Sequence, residues 1–254
     1  MKLVLLAFTV LQLANTVLVL IFIFLAFRLM ESRWSYKISK PYSWDEAVRN
    51  GAIPKRLKRK ERLYRDKVRF YSFWLTIERL KNEKIKGAFA EVGVYKGETA
   101  AIIHLMDSSR PFYLFDTFEG FVEKDLAAEG ATNDSVDFSN TSPEAVKEFI
   151  DGNENIHIRQ GYFPETTETL PDHQYAFVNI DADLYNPTLA ALQYFYPRMA
   201  AGGVIMVHDY NHNWEGARRA VDEFSLTIPE VGMAVADWQG SIMITKSKDG
   251  KAAL

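Results

Sequence analysis

The sequence predicts an α/β protein with a doubly wound, mainly parallel sheet of seven strands, a C-terminal antiparallel hairpin and an N-terminal transmembrane helix. Three patterns indicate this fold: a long apolar run opens the chain, short apolar runs then alternate with amphipathic stretches, and two last apolar runs flank a turn. With 254 residues, 48% of them hydrophobic, the chain can bury the core of one domain plus an appendage. We therefore expect an anchor at 1–30, a basic linker or helix at 31–69 and an α/β domain at 70–248.

The anchor is predicted by residues 3–27, which contain no charged side chain. About 20 apolar residues cross a hydrocarbon core about 30 Å thick, so this run is long enough. A cleaved signal peptide and a buried helix are the alternatives, but a signal peptide has a shorter apolar region followed by a small-residue cleavage site. One basic residue, Lys2, precedes the run, and four follow it: Arg28, Arg33, Lys37 and Lys40. The positive-inside rule then predicts a single-pass protein whose larger part is cytoplasmic.

A basic segment at 54–69 follows the anchor, with nine Lys or Arg residues against Glu61 and Asp66. Next to a membrane span, these charges could contact anionic headgroups. They could equally form the solvated face of a helix that continues through residues 70–85, and the two interpretations are compatible. RNA binding is a weaker alternative, because no nucleic-acid motif accompanies the run and the formal net charge is -3. We expect no nucleic-acid partner.

The rest of the chain alternates between strand and helix patterns. Strands are predicted at 88–94, 112–116, 155–160, 175–181 and 203–209, and helices at 97–107, 142–151, 186–200 and 214–226. This alternation implies right-handed crossovers and a parallel sheet. The last segment predicts two strands around a turn at 238–240, one of which enters the sheet antiparallel.

A glycine-containing turn follows the first predicted strand, in the sequence AFAEVGVYKGET at 88–99. Ligands of doubly wound sheets bind beyond the carboxyl ends of the strands, where Glu91, Gly93 and Gly97 lie. Asp116 ends the second strand, 23 positions after Gly93, and is well placed to accept hydrogen bonds from ribose hydroxyls. The spacing departs from the G-x-G-x-x-G fingerprint, which disfavours NAD. A cationic nucleoside such as S-adenosylmethionine fits the nearby acids better.

A second group of polar residues follows the fourth and fifth predicted strands: Asp181, Asp183, His208 and Asp209. Neighbouring parallel strands bring their carboxyl ends together, so these side chains are expected to converge over the same crevice. Oxygen-rich clusters suit Mg²⁺, Mn²⁺ or Ca²⁺. The chain has no cysteine, which excludes thiolate metal sites, disulfides and a cysteine nucleophile.

Five stretches of the chain resemble the macrocin O-methyltransferase family of class I S-adenosylmethionine-dependent methyltransferases. They are FAEVGVYKGETA, YLFDTFEGF, QGYFPET, NIDADLYNPTLAALQYFYPRMAAGGVIMVHDY and GARRAVDEF, in this order. The resemblance covers about residues 65–245 and leaves out the anchor and much of the basic segment. It implies a Rossmann-like fold, a cofactor loop formed by Glu91, Gly93 and Gly97, ribose binding by Asp116, and contact of Thr117 and Phe118 with the adenosine.

For the second cluster, the resemblance implies that Asp181 is a metal ligand and the candidate base. The family usually has two adjacent acids at the end of the fifth strand, where this chain has His208 followed by Asp209. Asp209 can still coordinate Mg²⁺, whereas an imidazole shifts the preference toward Mn²⁺ or Fe²⁺. His208 is a second candidate for the base because its ordinary pKa lies near neutrality.

The sequence thus favours a membrane-anchored, metal-dependent O-methyltransferase, and the resemblance implies a hydroxyl of a sugar or related natural product as acceptor. A metal-dependent glycosyltransferase is the main alternative, since an anchor followed by an acid-x-acid motif, here Asp181 to Asp183, is typical of that class. A catalytically inactive cofactor-binding module is the third. The acceptor is a small molecule that is either soluble or held at the membrane, and a homo-oligomer is compatible with the sequence.

Overall fold

The computed structural model describes residues 2–129, 138–211 and 215–248. The chain forms two compact units, Met1–Ala52 and Ile53–Leu254. The first unit contains α1 (Lys2–Ser39) and α2 (Tyr42–Arg49). Within α1, the stretch Leu6–Ser32 is long and apolar enough to cross a membrane, and its large apolar side chains are exposed. A signal sequence near an N-terminus meets the same criteria of length and composition.

The second unit is built on a seven-stranded sheet, as predicted. Its strands are β1 (Ala88–Val92), β2 (Phe112–Asp116), β3 (Ile156–Gln160), β4 (Tyr175–Ile180), β5 (Met199–Val207), β6 (Met233–Ala234) and β7 (Ile242–Thr245). The strand order is β3-β2-β1-β4-β5-β7-β6. The first five strands run parallel to one another, and β7 pairs antiparallel with both β5 and β6. β7 is therefore the strand of the terminal hairpin that enters the sheet antiparallel.

The helices of this unit cover both faces of the sheet. They are α3 (Lys55–Leu63), α4 (Lys67–Asn82), α5 (Glu98–Met106), α6 (Glu123–Glu129), α7 (Pro143–Ile150), α8 (Tyr185–Phe195) and α9 (Glu215–Ser225). α4 packs against α5 and β5, whereas α8 packs against α9 and β4. A parallel sheet covered on both faces buries nearly every side chain of its inner strands, which is why β1, β2, β4 and β5 read as mostly apolar runs. The edge strand β3 is only half-buried and alternates apolar and polar residues.

Alternation along β1 divides its side chains between the two faces of the sheet. Ala88, Ala90 and Val92 join the core cluster that contains Phe195 of α8. Phe89 points to the opposite face, where its ring lies 5.8 Å from that of Phe177, which in turn meets Phe73 of α4 at 6.0 Å. Glu91, two residues after Phe89, is placed on that same α4 face by the period of the strand.

Two predicted helices differ from the structure. The helix predicted at 186–200 ends at Phe195, is followed by a short 3₁₀ turn at Tyr196–Arg198, and gives way to β5 at Met199. Pro197 explains the early end, because proline has no backbone N–H to continue the helical ladder.

The continuous helix proposed for the basic segment and residues 70–85 is also wrong. It is divided into α3 and α4, and Asp66 caps α4 by accepting a hydrogen bond from the Arg69 amide at 2.9 Å. An aspartate at this position contributes about 1 kcal/mol to helix stability and fixes the point at which the helix begins.

Candidate active site

A cavity of 460 Å³ opens at the carboxyl ends of β1, β2, β4 and β5. β1 and β4 are neighbours in the sheet although β2 and β3 separate them in the chain, so strand order reverses here. Ligands of open α/β sheets bind at such a switch point. The cavity lies where the sequence predicted the cofactor, and its size is within the range of small-molecule sites.

Gly93 and Gly97 of the first loop allow neighbouring segments of the chain to approach closely, because a glycine has no Cβ. A Cβ at Gly93 would lie 2.0 Å from the carbonyl oxygen of Asp181, and the φ of Gly93 is +83°. Any larger residue would separate β1 from β4 at the point where both enter the cavity wall. Gly97 begins α5 with a φ of +76°, and a Cβ there would lie 3.0 Å from Cγ1 of Val146. Gly93 lines the cavity, whereas Gly97 supports the loop from behind.

Glu91 lies beneath the cavity, with only 1% of its surface exposed. Its Oε1 accepts a hydrogen bond from Nδ2 of Asn179 on β4 at 2.8 Å. Burial, followed by the nearby carboxylate of Asp181, raises the pKa of Glu91 to about 8. Glu91 therefore ties β1 to β4 and does not form part of the cavity wall.

Asp116 organises the loop that it faces. Its Oδ2 accepts hydrogen bonds from the amides of Val94 and Tyr95 at 2.7 and 2.8 Å, and its Oδ1 accepts one from the amide of Phe118 at 2.7 Å. These three hydrogen bonds use both lone pairs of Oδ2 and one of Oδ1, so Oδ1 has one acceptor site left for a ligand hydroxyl. Thus the same side chain that was predicted to bind ribose also holds the two loops beside it.

Thr117 and Phe118 occupy different environments. Thr117 lines the cavity, and its Oγ1 donates a hydrogen bond to the carbonyl of Gly120 at 2.8 Å. Phe118 is 5% exposed and is absent from the described cavity wall, which instead contains Phe121 and Phe138. Direct contact of Phe118 with an adenosine stays a prediction.

Asp181 lies between two basic groups at the end of β4. Its Oδ2 accepts a hydrogen bond from Nη2 of Arg69 at 2.9 Å, and its Oδ1 lies 2.9 Å from Nδ1 of His208. Burial alone would raise the pKa of Asp181, but Arg69 and then His208 outweigh this effect and hold the pKa well below its usual range. The carboxylate is therefore ionised throughout the neutral pH range.

The two ring nitrogens of His208 lie in different environments. Nε2 lies 3.2 Å from the carbonyl oxygen of Trp238, a contact that favours a proton on Nε2. Nδ1 lies 2.9 Å from Asp181 and 3.0 Å from Asp209, yet it forms no hydrogen bond among the described residues. Metal-binding histidines commonly fix their tautomer through such a carbonyl.

The donor set at this point fits a divalent cation. Ligand atoms of Asp181, His208 and Asp209 lie within 4.8 Å of one another, and a buried oxygen of Asp209, Oδ1, lacks a hydrogen-bond partner among the described residues. Two carboxylates and one imidazole are suitable ligands for Mg²⁺, Mn²⁺ or Fe²⁺. Arg69 adds a fixed positive charge to Asp181, which weakens the attraction for a second cation at that carboxylate.

The pKa values of the neighbouring groups follow from the same crowding. Burial lowers the pKa of His208, but Asp181 and then Asp209 outweigh it and raise that pKa to about 10. Burial, followed by the carboxylates of Asp209 and Asp181, raises the pKa of Asp183 well above its usual range. Asp183 and Asp209 also adopt φ angles of 59° and 61°, in the left-handed region that aspartate enters more readily than most non-glycine residues.

Sequence patterns alone did not identify several residues of the cavity wall. Arg69 and Tyr64 were interpreted as part of the basic segment, although both line the cavity and Arg69 is 5% exposed. Arg69 and Asp181 are 112 positions apart in the chain, so no local sequence pattern predicts their contact. Tyr162 and Phe163 also line the cavity and belong to the QGYFPET stretch. The sequence pattern that could have identified them is the aromatic pair just after the strand predicted at 155–160.

Comparison with known proteins identifies the family. The family model described as macrocin-O-methyltransferase (TylF) matches residues 65–240. The chain belongs to this family. The family resemblance expected from the five sequence stretches is thereby confirmed. The matched range contains α4, the whole sheet apart from β7, and the cavity residues described above except Tyr64.

Two curated relatives are natural-product O-methyltransferases. One is the 8-demethyl-8-(2,3-dimethoxy-alpha-L-rhamnosyl)-tetracenomycin-C 4'-O-methyltransferase of Streptomyces olivaceus, 24% identical over 53% of this chain and 57% of the relative. The other is the demethyldecarbamoylnovobiocin O-methyltransferase of Streptomyces niveus, 26% identical over 58% of this chain and 62% of the relative. The chain therefore matches about three-fifths of the length of these relatives.

Solved structures show the same fold. The O-methyltransferase NovP superposes with a TM-score of 0.59 at 21% identity. The superposition covers 71% of this chain and 80% of the NovP chain. The calicheamicin methyltransferase CalS11 gives a TM-score of 0.55 at 17% identity, with coverages of 87% and 93%. Together with the strand order, these likenesses establish a class I, Rossmann-like methyltransferase fold for the macrocin O-methyltransferase family member described here.

Proposed function

We propose that this protein is an S-adenosylmethionine-dependent O-methyltransferase that acts on a hydroxyl of a sugar or related natural product. The observation that carries the proposal is the convergence of Asp181, His208 and Asp209 beside the cavity at the switch point. Membership of the macrocin O-methyltransferase family supports the same reaction class. An oxygen-ligand cluster beside a nucleoside-sized cavity is what a metal-assisted O-methylation requires.

For the cofactor, the proposed contacts come from the loop after β1 and the end of β2. Gly93 and Thr117 line the cavity, and Asp116 would accept hydrogen bonds from the ribose while it keeps the loop amides in place. Glu91 and Gly97 would act from behind the wall. When bound, the cofactor supplies an electrophilic methyl group on a sulfonium.

For the acceptor, Asp181, His208 and Asp209 would hold Mg²⁺ or Mn²⁺. His208 would favour Mn²⁺, and its imidazole must lose a proton to act as a ligand. A bound divalent cation lowers the pKa of an alcohol and makes it a better nucleophile. Asp181 is then the proposed proton acceptor, because its carboxylate is unprotonated at neutral pH. Since Arg69 and His208 also make it a weak base, the proton transfer depends on a lowered pKa of the acceptor hydroxyl. His208 is disfavoured as the base while Asp181 and Asp209 raise its pKa to about 10. The walls of the cavity would contribute mainly by aligning the acceptor oxygen with the methyl group.

The acceptor class is inferred from the relatives. Their printed names describe methylation of a rhamnosyl-bearing tetracenomycin and of demethyldecarbamoylnovobiocin. We infer a hydroxylated small molecule of similar chemistry for this chain. A metal-dependent glycosyltransferase using Asp181 to Asp183 is the competing activity, and the family match and the sheet order both favour the methyltransferase.

For the location, we propose that α1 anchors the chain in a membrane with the catalytic unit on the cytoplasmic side. The exposed apolar side chains of Leu6–Ser32 support an anchor, and the basic residues that follow support the orientation. Helix α3 adds an exposed row of Lys55, Arg59 and Arg62, spaced to lie on one helical face. This row is suited to anionic headgroups.

The test of the cofactor is calorimetric titration of S-adenosylmethionine and S-adenosylhomocysteine into the full chain in lipid nanodiscs. We expect micromolar binding that falls about 100-fold in Asp116→Ala, because both the ribose contact and the loop geometry are lost. Asp172→Ala, an exposed acid outside the cavity, is the matched control and should bind normally. Binding of UDP-sugars in place of both nucleosides would overturn the methyltransferase and favour the glycosyltransferase.

A further inference from the structure

A second, more polar cavity of 280 Å³ lies beside the first. The two cavities share Arg69, Glu98 and His208 in their walls, so both reach the proposed reaction centre. The second cavity has no wall residue from the Gly93 loop or from Asp116 among the described residues. It therefore approaches His208 without using the part of the site that is proposed to hold the cofactor.

Trp238 forms an exposed aromatic surface at this second cavity. Its indole belongs to the turn before β7, and the residue is 66% exposed. Its backbone is nevertheless fixed on both sides: the amide donates to Oδ2 of Asp66 at 2.7 Å, and the carbonyl lies 3.2 Å from Nε2 of His208. A rigidly placed but exposed tryptophan is a frequent anchor for a ligand, because the ring buries a large area with little loss of entropy.

The charges around this cavity are balanced. Arg65 and Arg69 contribute two positive charges, and Asp66 and Glu98 contribute two negative charges. His208 also lines this cavity, and the carboxylates of Asp181 and Asp209, 2.9 Å and 3.0 Å from its Nδ1, offset its positive charge. Arg69 and Asp66 are already engaged, by Asp181 and by the Trp238 amide respectively. A site of this kind offers donors and acceptors without a net charge, which suits a neutral polyhydroxylated ligand better than a phosphate or a carboxylate.

We propose that this second cavity binds a pyranose ring of the acceptor, with one C–H face of the ring against the Trp238 indole. The C–H hydrogens of a sugar face carry partial positive charge and match the negative face of the indole. Hydroxyls at the ring edge hydrogen-bond to Arg65 and Glu98, and one hydroxyl is directed toward Asp181 and His208. This inference rests on the proposed methyl-transfer function and assigns its acceptor site.

The test is saturation-transfer NMR of the full chain in nanodiscs, saturated beforehand with S-adenosylhomocysteine. The probes are a panel of methyl glycosides, which present the pyranose alone, and UDP-glucose, which presents a nucleotide-linked sugar. We expect ring protons of at least one glycoside to receive saturation. Its affinity should fall about tenfold in Trp238→Ala and only about two- to threefold in Trp238→Phe, which retains an aromatic face.

Leu226→Ala, at a residue 88% exposed and outside both cavities, is the matched control and should leave the glycoside signal unchanged. Unchanged S-adenosylhomocysteine affinity in the Trp238 variants separates this inference from the cofactor proposal. If the nucleoside binds but no glycoside does, or if Trp238→Ala binds glycoside like the parent chain, the acceptor site is wrong. A signal from UDP-glucose alone, confined to its uracil and ribose protons, also overturns it.

Discussion

The end of β2 and the ends of β4 and β5 form two walls of one cavity, but their polar groups are satisfied in different ways. At the end of β2, both oxygens of Asp116 accept hydrogen bonds from backbone amides. At the ends of β4 and β5, Nδ1 of His208 and Oδ1 of Asp209 are buried without a hydrogen-bond partner among the described residues. At the first wall, the backbone already satisfies the carboxylate of Asp116. At the second wall, the possible metal-ligand atoms of Asp181, His208 and Asp209 lie close to one another.

This difference separates two kinds of functional residue. A side chain such as Asp116 can shape a binding loop before any ligand arrives, which lowers the entropy lost on binding. Converging carboxylates and an imidazole raise the energy of the folded chain, because buried polar groups without partners are costly. We expect substitutions of Asp181 and His208 to change catalysis more than folding. Substitutions of Arg69, which neutralises Asp181, and of Gly93, which joins the walls, should change folding.

The largest expected effect is on turnover in Asp181→Asn. The amide cannot accept the hydroxyl proton and is a poorer metal ligand, so kcat should fall about 10³-fold. Affinity for S-adenosylhomocysteine should stay within about twofold of the parent value. Transfer of a labelled methyl group to hydroxylated glycosides measures the first quantity, and calorimetry measures the second. A fully active Asn variant would remove Asp181 from the mechanism.

Arg69→Met should produce the largest loss of stability at the second wall. The change leaves the carboxylate of Asp181 without its guanidinium partner, at a cost of about 3 kcal/mol in the free energy of unfolding. Added Mn²⁺ should raise the Tm of this variant more than that of the parent chain, because a cation replaces the lost charge. Denaturant titration measures the loss in free energy of unfolding. Arg218→Met is the control, because Arg218 forms an exposed ion pair with Asp222 and its replacement should lower the free energy of unfolding by less than about 1 kcal/mol.

Gly93→Ala tests the junction between the two walls. The added Cβ would lie 2.0 Å from the carbonyl oxygen of Asp181, and the backbone is in the left-handed region. We expect a loss of about 2–3 kcal/mol in the free energy of unfolding. Gly51→Ala is the matched control, since its φ is +73° and a Cβ there meets nothing within 4 Å. It should show only the backbone cost of about 1 kcal/mol, and equal losses in both variants would contradict the predicted collision.

The smallest expected effect is on metal preference in His208→Asp. An added carboxylate should shift the ratio of Mg²⁺ to Mn²⁺ affinity about tenfold toward Mg²⁺, because Mg²⁺ prefers oxygen ligands. Titration of each chloride salt into the full chain measures the ratio. His208→Gln, which removes the imidazole without adding charge, should weaken both metals. A ratio unchanged in His208→Asp would place the imidazole outside the coordination sphere.

The sheet could be predicted from the sequence because buried parallel strands leave a simple pattern. The strands β1, β2, β4 and β5 are short, mostly apolar runs, whereas β3 alternates apolar and polar residues. The polar residues at the carboxyl ends of β2, β4 and β5 mark the ligand side. The same reasoning selected Asp116, Asp181, His208 and Asp209, all of which line the cavity. The helix boundaries were less accurate, since Pro197 and the Asp66 cap override the apolar periodicity on either side of them.

The family, the mainly parallel sheet, the apolar N-terminal segment and the acids at the strand ends could be inferred without coordinates, because all of them leave local patterns along the chain. The folded structure was needed to show that Gly93 permits the close approach of β1 to β4 and that Asp116 accepts hydrogen bonds from backbone amides. It also showed that Arg69 meets Asp181 and that Trp238 lies beside His208. These contacts join residues that are distant in the chain, and no local pattern records which distant segments the fold brings within hydrogen-bond distance.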